Sequence, residues 1–292
     1  MRRLSRRRRR AVEDGGGVAA EVSFGPAAAA APHAAASVTQ QTIALAKRAI
    51  KRTVRQRALM IFPMIFPLIL FAINGSALSA ATRIPRFPTH NYRDFLIAMP
   101  FVQGAMFVSI SAGVDLARDI ETGFLNRLAL TPLRPEALLI GQLGGALVLG
   151  VLQAIVYLLV GLATGVTFAS GVGGALVLLV LSIAIAFAFA SLGGLLALRF
   201  GTGEAVQGIF PLLFVTLFLS SSSLPRNLIK ATWFREVATY NPVSYLLEGL
   251  RSLVITGWNA QALELGFGFT LALLVIALAL SRAAMNTRLA RK

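Results

Sequence analysis

Five ionisable residues, Asp115, Arg118, Asp119, Glu121 and Arg127, crowd into a segment that lies between two long apolar runs. Carboxylates and guanidiniums so close together are suited to charge-assisted hydrogen bonds with a second surface, which are about twice as strong as neutral ones. They are not arranged for bond-making chemistry. The chain offers no Ser, His and Asp set and no paired carboxylates at workable positions, so no catalytic residue is expected. Cysteine is absent and the two histidines, His33 and His90, stand alone, which leaves no donor set for a metal. No G-x-x-x-x-G-K-S/T loop occurs, so this chain has no phosphate cradle of its own and is expected to bind no nucleotide cofactor.

The charged segment must sit on a helix. Leu116, Ile120, Phe124 and Leu128 recur every fourth residue on one side, while Arg118, Asp119, Glu121 and Asn126 take the remaining surface. Thr131-Pro132 is expected to stop that helix, and Pro135, which needs no N–H bond in a first turn, to start the next. The flanking runs belong to a membrane. Of 292 residues 56% are hydrophobic and 14% charged, against ~45–50% and ~25% in soluble domains. Apolar runs of this length cross a ~30 Å hydrocarbon layer as helices, whose backbone bonds are satisfied internally. The fold class expected is an all-α integral membrane protein with six spans: Ala58 to Leu78, Phe95 to Val114, Ala137 to Ala163, Val172 to Leu198, Ala205 to Leu224 and Ala262 to Leu280.

Charge placement sets the expected topology. Thirteen of the 28 Lys and Arg fall at or before Arg57, and most of the others cluster near span ends, which is the arrangement that holds basic loops in the cytoplasm and not one suited to nucleic acid. Both termini are then cytoplasmic. Residues 1–37, an Arg-, Ala- and Gly-rich tract, carry too little bulky apolar surface to fold alone and are expected to be a disordered tail. Residues 38–57 form a basic amphipathic helix on the membrane surface, with Ile43, Ala46, Ile50 and Val54 on one stripe and Lys47, Arg48, Lys51, Arg52 and Arg55 around it, available to anionic lipid. Residues 58–281 make the transmembrane domain, and 282–292 a basic cytoplasmic C-terminus.

The connection from Pro225 to Gln261 is too apolar for an ordinary loop and too short to cross twice, so a re-entrant or interfacial helix pair is expected there, with Asn241, Pro242, Tyr245, Glu248 and Arg251 as its distinctive residues. Ser191-Leu192-Gly193-Gly194 reads as small residues that let helices approach closely. Ionisable groups are nearly missing from the span interiors, which disfavours an ion-coupled carrier. Phe210, Phe214 and Phe218 form one stripe, and Phe62 and Phe66 another beside Met60 and Met64. Such surfaces suit varied apolar molecules and are the candidate substrate path, set against the plainer reading of aromatics that face lipid or pack one helix on another. Pro63, Pro67, Pro100 and Pro211 mark places where helices can bend.

The order of these pieces, a basic amphipathic helix, two spans, a charged segment ending in Thr-Pro, three more spans, an Asn-Pro-x-x-Tyr segment with a following Arg, and a last span, resembles the membrane subunit of ABC-2-type transporters, and among them the daunorubicin and multidrug exporter permeases. Asp115, Glu121, Gly123, Arg127, Thr131 and Pro132 match on one side and Asn241, Pro242, Tyr245 and Arg251 on the other, over about residues 40 to 285. The resemblance implies that Asp115 to Leu130 is a coupling helix seated in a separate ATP-binding subunit, with Arg118, Asp119, Glu121 and Arg127 at that interface. It implies two such subunits, which hold ATP and Mg, around two permease copies or a permease and its paralogue in the plasma membrane. It implies export of a hydrophobic or amphiphilic drug or lipid. Export of a polysaccharide or glycolipid is the alternative within that class, and a non-transporting scaffold or sensor the alternative outside it.

Overall fold

A computed structural model describes residues 37–55, 57–124, 140–141 and 143–290, and every regular element among them is helical. Helix α1 spans Val38–Arg55 and starts at a reciprocal cap. The Gln40 N–H donates to Ser37 Oγ at 3.2 Å and the Ser37 N–H to Gln40 Oε1 at 3.2 Å, so two donors left over at the helix start are satisfied. The long helices are α2 Arg57–Ala77, α4 Ala98–Glu121, α5 Gly144–Ala163, α6 Gly171–Phe200 and α11 Ala260–Ala290. Among the described residues, five helical segments are long and apolar enough to cross a membrane, α4 together with the preceding turn α3 (Tyr92–Leu96) counting as one.

The fifth expected span departs from this pattern. Residues Ala205 to Leu224 do not form one helix but parts of two, α7 Gly203–Gly208 and α8 Phe210–Phe218, broken at Ile209. The cause lies in Pro211, which has no N–H to give the Gln207 carbonyl, next to Gly208 with its weak helix propensity. At 1.5 Å per residue the pair reaches about 24 Å, short of the ~30 Å hydrocarbon core.

Helix α4 is the centre of the bundle, with every side chain from Ile97 to Ser109 buried. Its crossing with α6 is made by small residues, as the Gly193-Gly194 pair led us to expect. A Cβ on Gly193 would lie 1.8 Å from the Ser109 carbonyl oxygen, and one on Gly113 2.8 Å from the Gly193 oxygen. Only glycine permits that approach.

Helix α2 carries its own repair. Pro67 lacks the N–H that would bond the carbonyl of Pro63 four residues back. Tyr157 Oη takes that carbonyl at 2.9 Å and Gln153 Nε2 at 3.3 Å, both from α5. A buried acceptor that would cost about 1–3 kcal/mol unpaired is thereby satisfied across a helix–helix contact.

Beyond α8 lie the short helices α9 Thr232–Tyr240 and α10 Pro242–Ile255. Asn241 separates them and caps α10, its Oδ1 accepting from the Val243 N–H at 2.9 Å, with Pro242 in the first turn. Helix α9 is largely exposed, whereas α10 is buried and packs against α11 with Gly249 facing Gly266, where a Cβ would stand 3.2 Å from the opposing Cα.

Candidate functional site

The charged segment begins as the end of a transmembrane helix. Asp115 to Glu121 are the last turns of α4 and not the start of a separate rod, because the helix stops at Thr122 and Gly123 takes φ +68°, a left-handed conformation that ends helices. The expected continuous helix through Leu128 is therefore interrupted. Asn126, Arg127, Leu128, Thr131, Pro132 and Pro135 lie outside the described residues.

Two of the carboxylates are turned inward. Arg48 of α1 forms a fork with Asp119, Nη1 to Oδ2 at 3.0 Å and Nη2 to Oδ1 at 3.1 Å. Arg52, one turn on, reaches Asp119 Oδ1 at 3.2 Å and Asp115 Oδ1 at 3.0 Å. The pairing follows from spacing, since both arginines and both aspartates sit four residues apart and present matched charges along one helix face. Asp119 is 4% exposed, so its carboxylate depends on these two partners, while Arg48, Arg52 and Asp115 keep part of their surface exposed. Arg48 also lies 3.8 Å above the Phe124 ring.

Helix α1 thus meets the bundle through a face the stripe analysis did not select. Leu45, Ala49 and Thr53 are buried while Ile43 is exposed. The receiving surface is glycine: a Cβ on Gly141 would come within 2.5 Å of Leu45 Cβ, and one on Gly145 within 2.9 Å of the Ala49 oxygen. Arg48 and Arg52 are correspondingly committed to protein carboxylates and not to lipid; Lys47, Lys51 and Arg55 remain exposed.

The remaining charged residues tie the other helices to this end. Glu121 Oε1 accepts from the Gly203 N–H at 2.9 Å, placing a carboxylate at the positive start of α7. Arg288 of α11 donates through Nε to the Leu198 carbonyl at 2.5 Å, where α6 ends in Gly201 with φ +82°. Arg118 is exposed, as is the Glu121 side chain at its edge. Helices α1, α4, α6, α7 and α11 therefore meet in one polar girdle.

The five phenylalanines of the candidate path converge. Phe62 stacks on Phe66 at 5.4 Å between centroids, Phe66 meets Phe214 at 6.2 Å, Phe210 meets Phe214 at 4.6 Å and Phe214 meets Phe218 at 6.3 Å. A sixth ring joins them. Phe107 of α4 touches Phe62, Phe66, Phe210 and Phe214 at 5.8, 5.8, 4.9 and 5.7 Å. Its run is apolar on nearly every side, and Gln103, Ser109 and Ser111 are too few to single out its face from the sequence. The ladder is buried at Phe107, 7% exposed, and open at Phe62 and Phe218, 62% and 53% exposed, so it presents a continuous aromatic surface on one flank of the chain.

At the opposite end from α1, the distinctive residues of the Pro225 to Gln261 connection form one network. Glu248 accepts from Arg226 Nε at 2.8 Å and Nη2 at 2.5 Å and from Ser221 Oγ at 3.2 Å. Burial lowers the Arg226 guanidinium, but its bonds with Glu248 outweigh that and hold it above its ordinary value. Arg226 also lies 4.6 Å over the Tyr245 ring, whose hydroxyl donates to the Thr239 carbonyl at 2.8 Å. Asn241 Nδ2 ties α10 to the Thr216 carbonyl at 2.6 Å. Arg251 is buried, donating to the carbonyls of Phe95, Ser221 and Ser222 at 2.9, 3.2 and 3.4 Å. Burial draws its guanidinium down to about 10, still charged at neutral pH.

The family model described as ABC-2 type transporter matches residues 40–255, from α1 to the end of α10. The chain is 26% identical over 206 residues, 67% of each chain, to the daunorubicin resistance ABC transporter permease protein DrrB1 of Streptomyces coeruleorubidus. It is 22% identical over 226 residues, 77% of this chain and 80% of the other, to the protein named probable doxorubicin resistance ABC transporter permease protein DrrC in Mycobacterium tuberculosis. It is 28% identical over 237 residues, 78% and 80% of the two chains, to the transport permease ycf38 of Cyanophora paradoxa.

Proposed function

The chain belongs to the ABC-2 type transporter family, and from that membership we propose that it is the permease subunit of an exporter for hydrophobic or amphiphilic molecules, powered by a separate ATP-binding subunit. The observation that carries this reading is the family match over residues 40–255, which takes in the aromatic ladder and all of the charged girdle except Arg288. The family works with ABC ATP-binding subunits, and this sequence holds no phosphate loop.

In this reading the girdle faces the cytoplasm, both termini lie there, and two ATP-binding subunits that hold ATP and Mg dock against two permease copies, or a permease and its paralogue, in the plasma membrane. Residues 1–37 are a tail, 38–57 an interface helix, 58–281 the transmembrane domain and 282–292 a basic C-terminus. The chain crosses six times, with α7 and α8 as the short fifth crossing and α9 and α10 as a re-entrant pair on the outer side. The exposed tip of α4, Arg118 and Glu121, and the residues beyond it from Gly123 through Arg127 to Thr131 and Pro132, meet the ATP-binding subunit. Asp115 and Asp119 act one step behind that contact. By fastening α1 to α4 they make the tip and the interface helix one rigid unit, so closure of the ATP-binding subunits displaces the bundle as a body. The ladder Phe62, Phe66, Phe107, Phe210, Phe214 and Phe218 offers apolar cargo an adaptable surface without fixed hydrogen bonds.

The test is reconstitution with the ATP-binding subunit in proteoliposomes, with anthracyclines, lipids and lipid-linked glycans screened for stimulation of ATP hydrolysis. Stimulation by apolar compounds is expected, reduced by Phe214→Ala. Stimulation by glycans alone assigns the other substrate class, and no association with an ATP-binding subunit removes the reading.

A further inference from the structure

The end of the bundle away from α1 holds a cavity of about 360 Å³, within the ~300–1,000 Å³ of small-ligand sites. Phe95 and Ile255 give it apolar walls, and Arg226, Glu248, Arg251 and Asn259 give it polar ones. The charges do not cancel. Among the lining residues two guanidiniums face one carboxylate, and that carboxylate is already held by Arg226 through both oxygens.

Among the described residues Arg251 has no carboxylate in contact. It is 6% exposed, its Nε and Nη2 donate to carbonyls, and its Cζ lies 3.5 Å from the Phe95 ring centroid. Carbonyls and a ring face solvate a cation without neutralising it. Its Nη1 has no acceptor among the described residues, while the side chain lines the cavity. Asn259 marks a third source of positive potential: it caps α11, its Oδ1 accepting from the Ala262 N–H at 3.0 Å, and the start of that helix carries the positive end of its dipole.

We propose that this cavity binds a single anionic head group, a phosphodiester or carboxylate on an amphiphile, with Arg251 Nη1 donating to its oxygens and Phe95 and Ile255 packing the adjoining carbon chain. The buried cation, the helix start and the apolar wall meet at one opening, which suits such a molecule and not a neutral one or a cation. The site does not depend on the transport reading above and stands or falls separately.

The experiment uses the full-length chain in nanodiscs of zwitterionic phosphatidylcholine. Dibutyl phosphate is titrated with tributyl phosphate as the neutral control, and dioctanoyl phosphatidylglycerol is compared with dioctanoyl phosphatidylcholine by native mass spectrometry. The anionic member of each pair that binds is expected to bind about tenfold tighter than its control, one molecule per chain. Because Arg251→Gln also removes three carbonyl contacts, Glu248→Gln and Arg226→Gln carry the test, each checked for thermal unfolding. Glu248→Gln removes the lining carboxylate and is expected to tighten anion binding about tenfold; Arg226→Gln removes the partner that neutralises that carboxylate, leaves Glu248 to offset Arg251, and is expected to weaken it about tenfold. General loss of structure would weaken both. Phosphatidylglycerol binding without dibutyl phosphate binding assigns the ligand to the bilayer, and dibutyl phosphate binding assigns a soluble anion; either supports the site. Binding of neither probe, equal affinity for anion and control, or the same direction of change in both variants overturns it.

Discussion

Arg48 and Asp119, 71 positions apart, meet in a two-bond fork that joins the interface helix to the last turns of the central helix. The contact turns two separate readings of the sequence, a lipid-facing basic helix and a protein-facing acidic one, into a single internal joint. Asp119→Ala leaves two guanidiniums without their shared partner, Arg48 side chain 39% exposed and Arg52 23%. The expected cost, discounted for that exposure, is about 1–3 kcal/mol. Hydrogen exchange over residues 38–55 is expected to accelerate tenfold or more, by about RT ln 10 per decade, while exchange in α6 stays unchanged. Unaltered protection of α1 would mean that the glycine seat alone holds it.

A second prediction concerns Pro67 and Tyr157. Tyr157→Phe leaves the Pro63 carbonyl only the longer bond from Gln153 Nε2 and is expected to cost about 1 kcal/mol. Pro67→Ala returns an N–H to that carbonyl, so in its background the same change is expected to cost clearly less, with a coupling of about 1 kcal/mol in a thermal-unfolding double-mutant cycle. Additive effects would show that the hydroxyl stabilises something else.

Gly193 and Gly268 give a matched pair. Gly193→Ala drives a Cβ into the Ser109 carbonyl, whereas nothing lies within 4 Å of a Cβ on Gly268. The first is expected to lose 3 kcal/mol or more, roughly the top of the range for single changes, and the second to be neutral or to gain some tenths in helix propensity. Equal melting temperatures would contradict the α4–α6 packing.

The aromatic ladder separates by position. Phe107→Ala empties its hub and is expected to lower both stability, by about 3 kcal/mol, and substrate-stimulated ATP hydrolysis. Phe62→Ala, at the exposed end, is expected to leave the melting temperature within about 1 °C and alter only the response to apolar compounds. Loss of stability in both would mark the ladder as packing alone.

Much of this architecture was legible in residue order, and the failures have physical causes. Long apolar runs and the Gly193-Gly194 pair announced the spans and their closest crossing, because those features depend only on length and side-chain size. The break within the fifth expected span is not legible because hydropathy counts Pro211 as one more apolar residue and does not register its missing N–H. Arg48 and Arg52 were assigned to lipid because periodicity ranks faces by hydrophobicity, while α1 docks through its small residues onto glycines. Phe107 does not stand out because the scattered Gln103, Ser109 and Ser111 of its helix do not define a polar face against which to set it. The bonds of Arg226 with Glu248 and of Arg251 with Phe95 depend on loop paths that no local rule encodes.

The central claim is that the exposed tip of α4 receives force from another polypeptide. A photo-crosslinking residue placed at Arg118, with a control at Trp233 on α9, tests it most directly in cells that co-express the ATP-binding subunit. The account expects a heterologous crosslink to that subunit from position 118, strengthened when ATP hydrolysis is blocked, and none from position 233. A tip that captures only water or lipid, or equal crosslinking from the two ends, would contradict it.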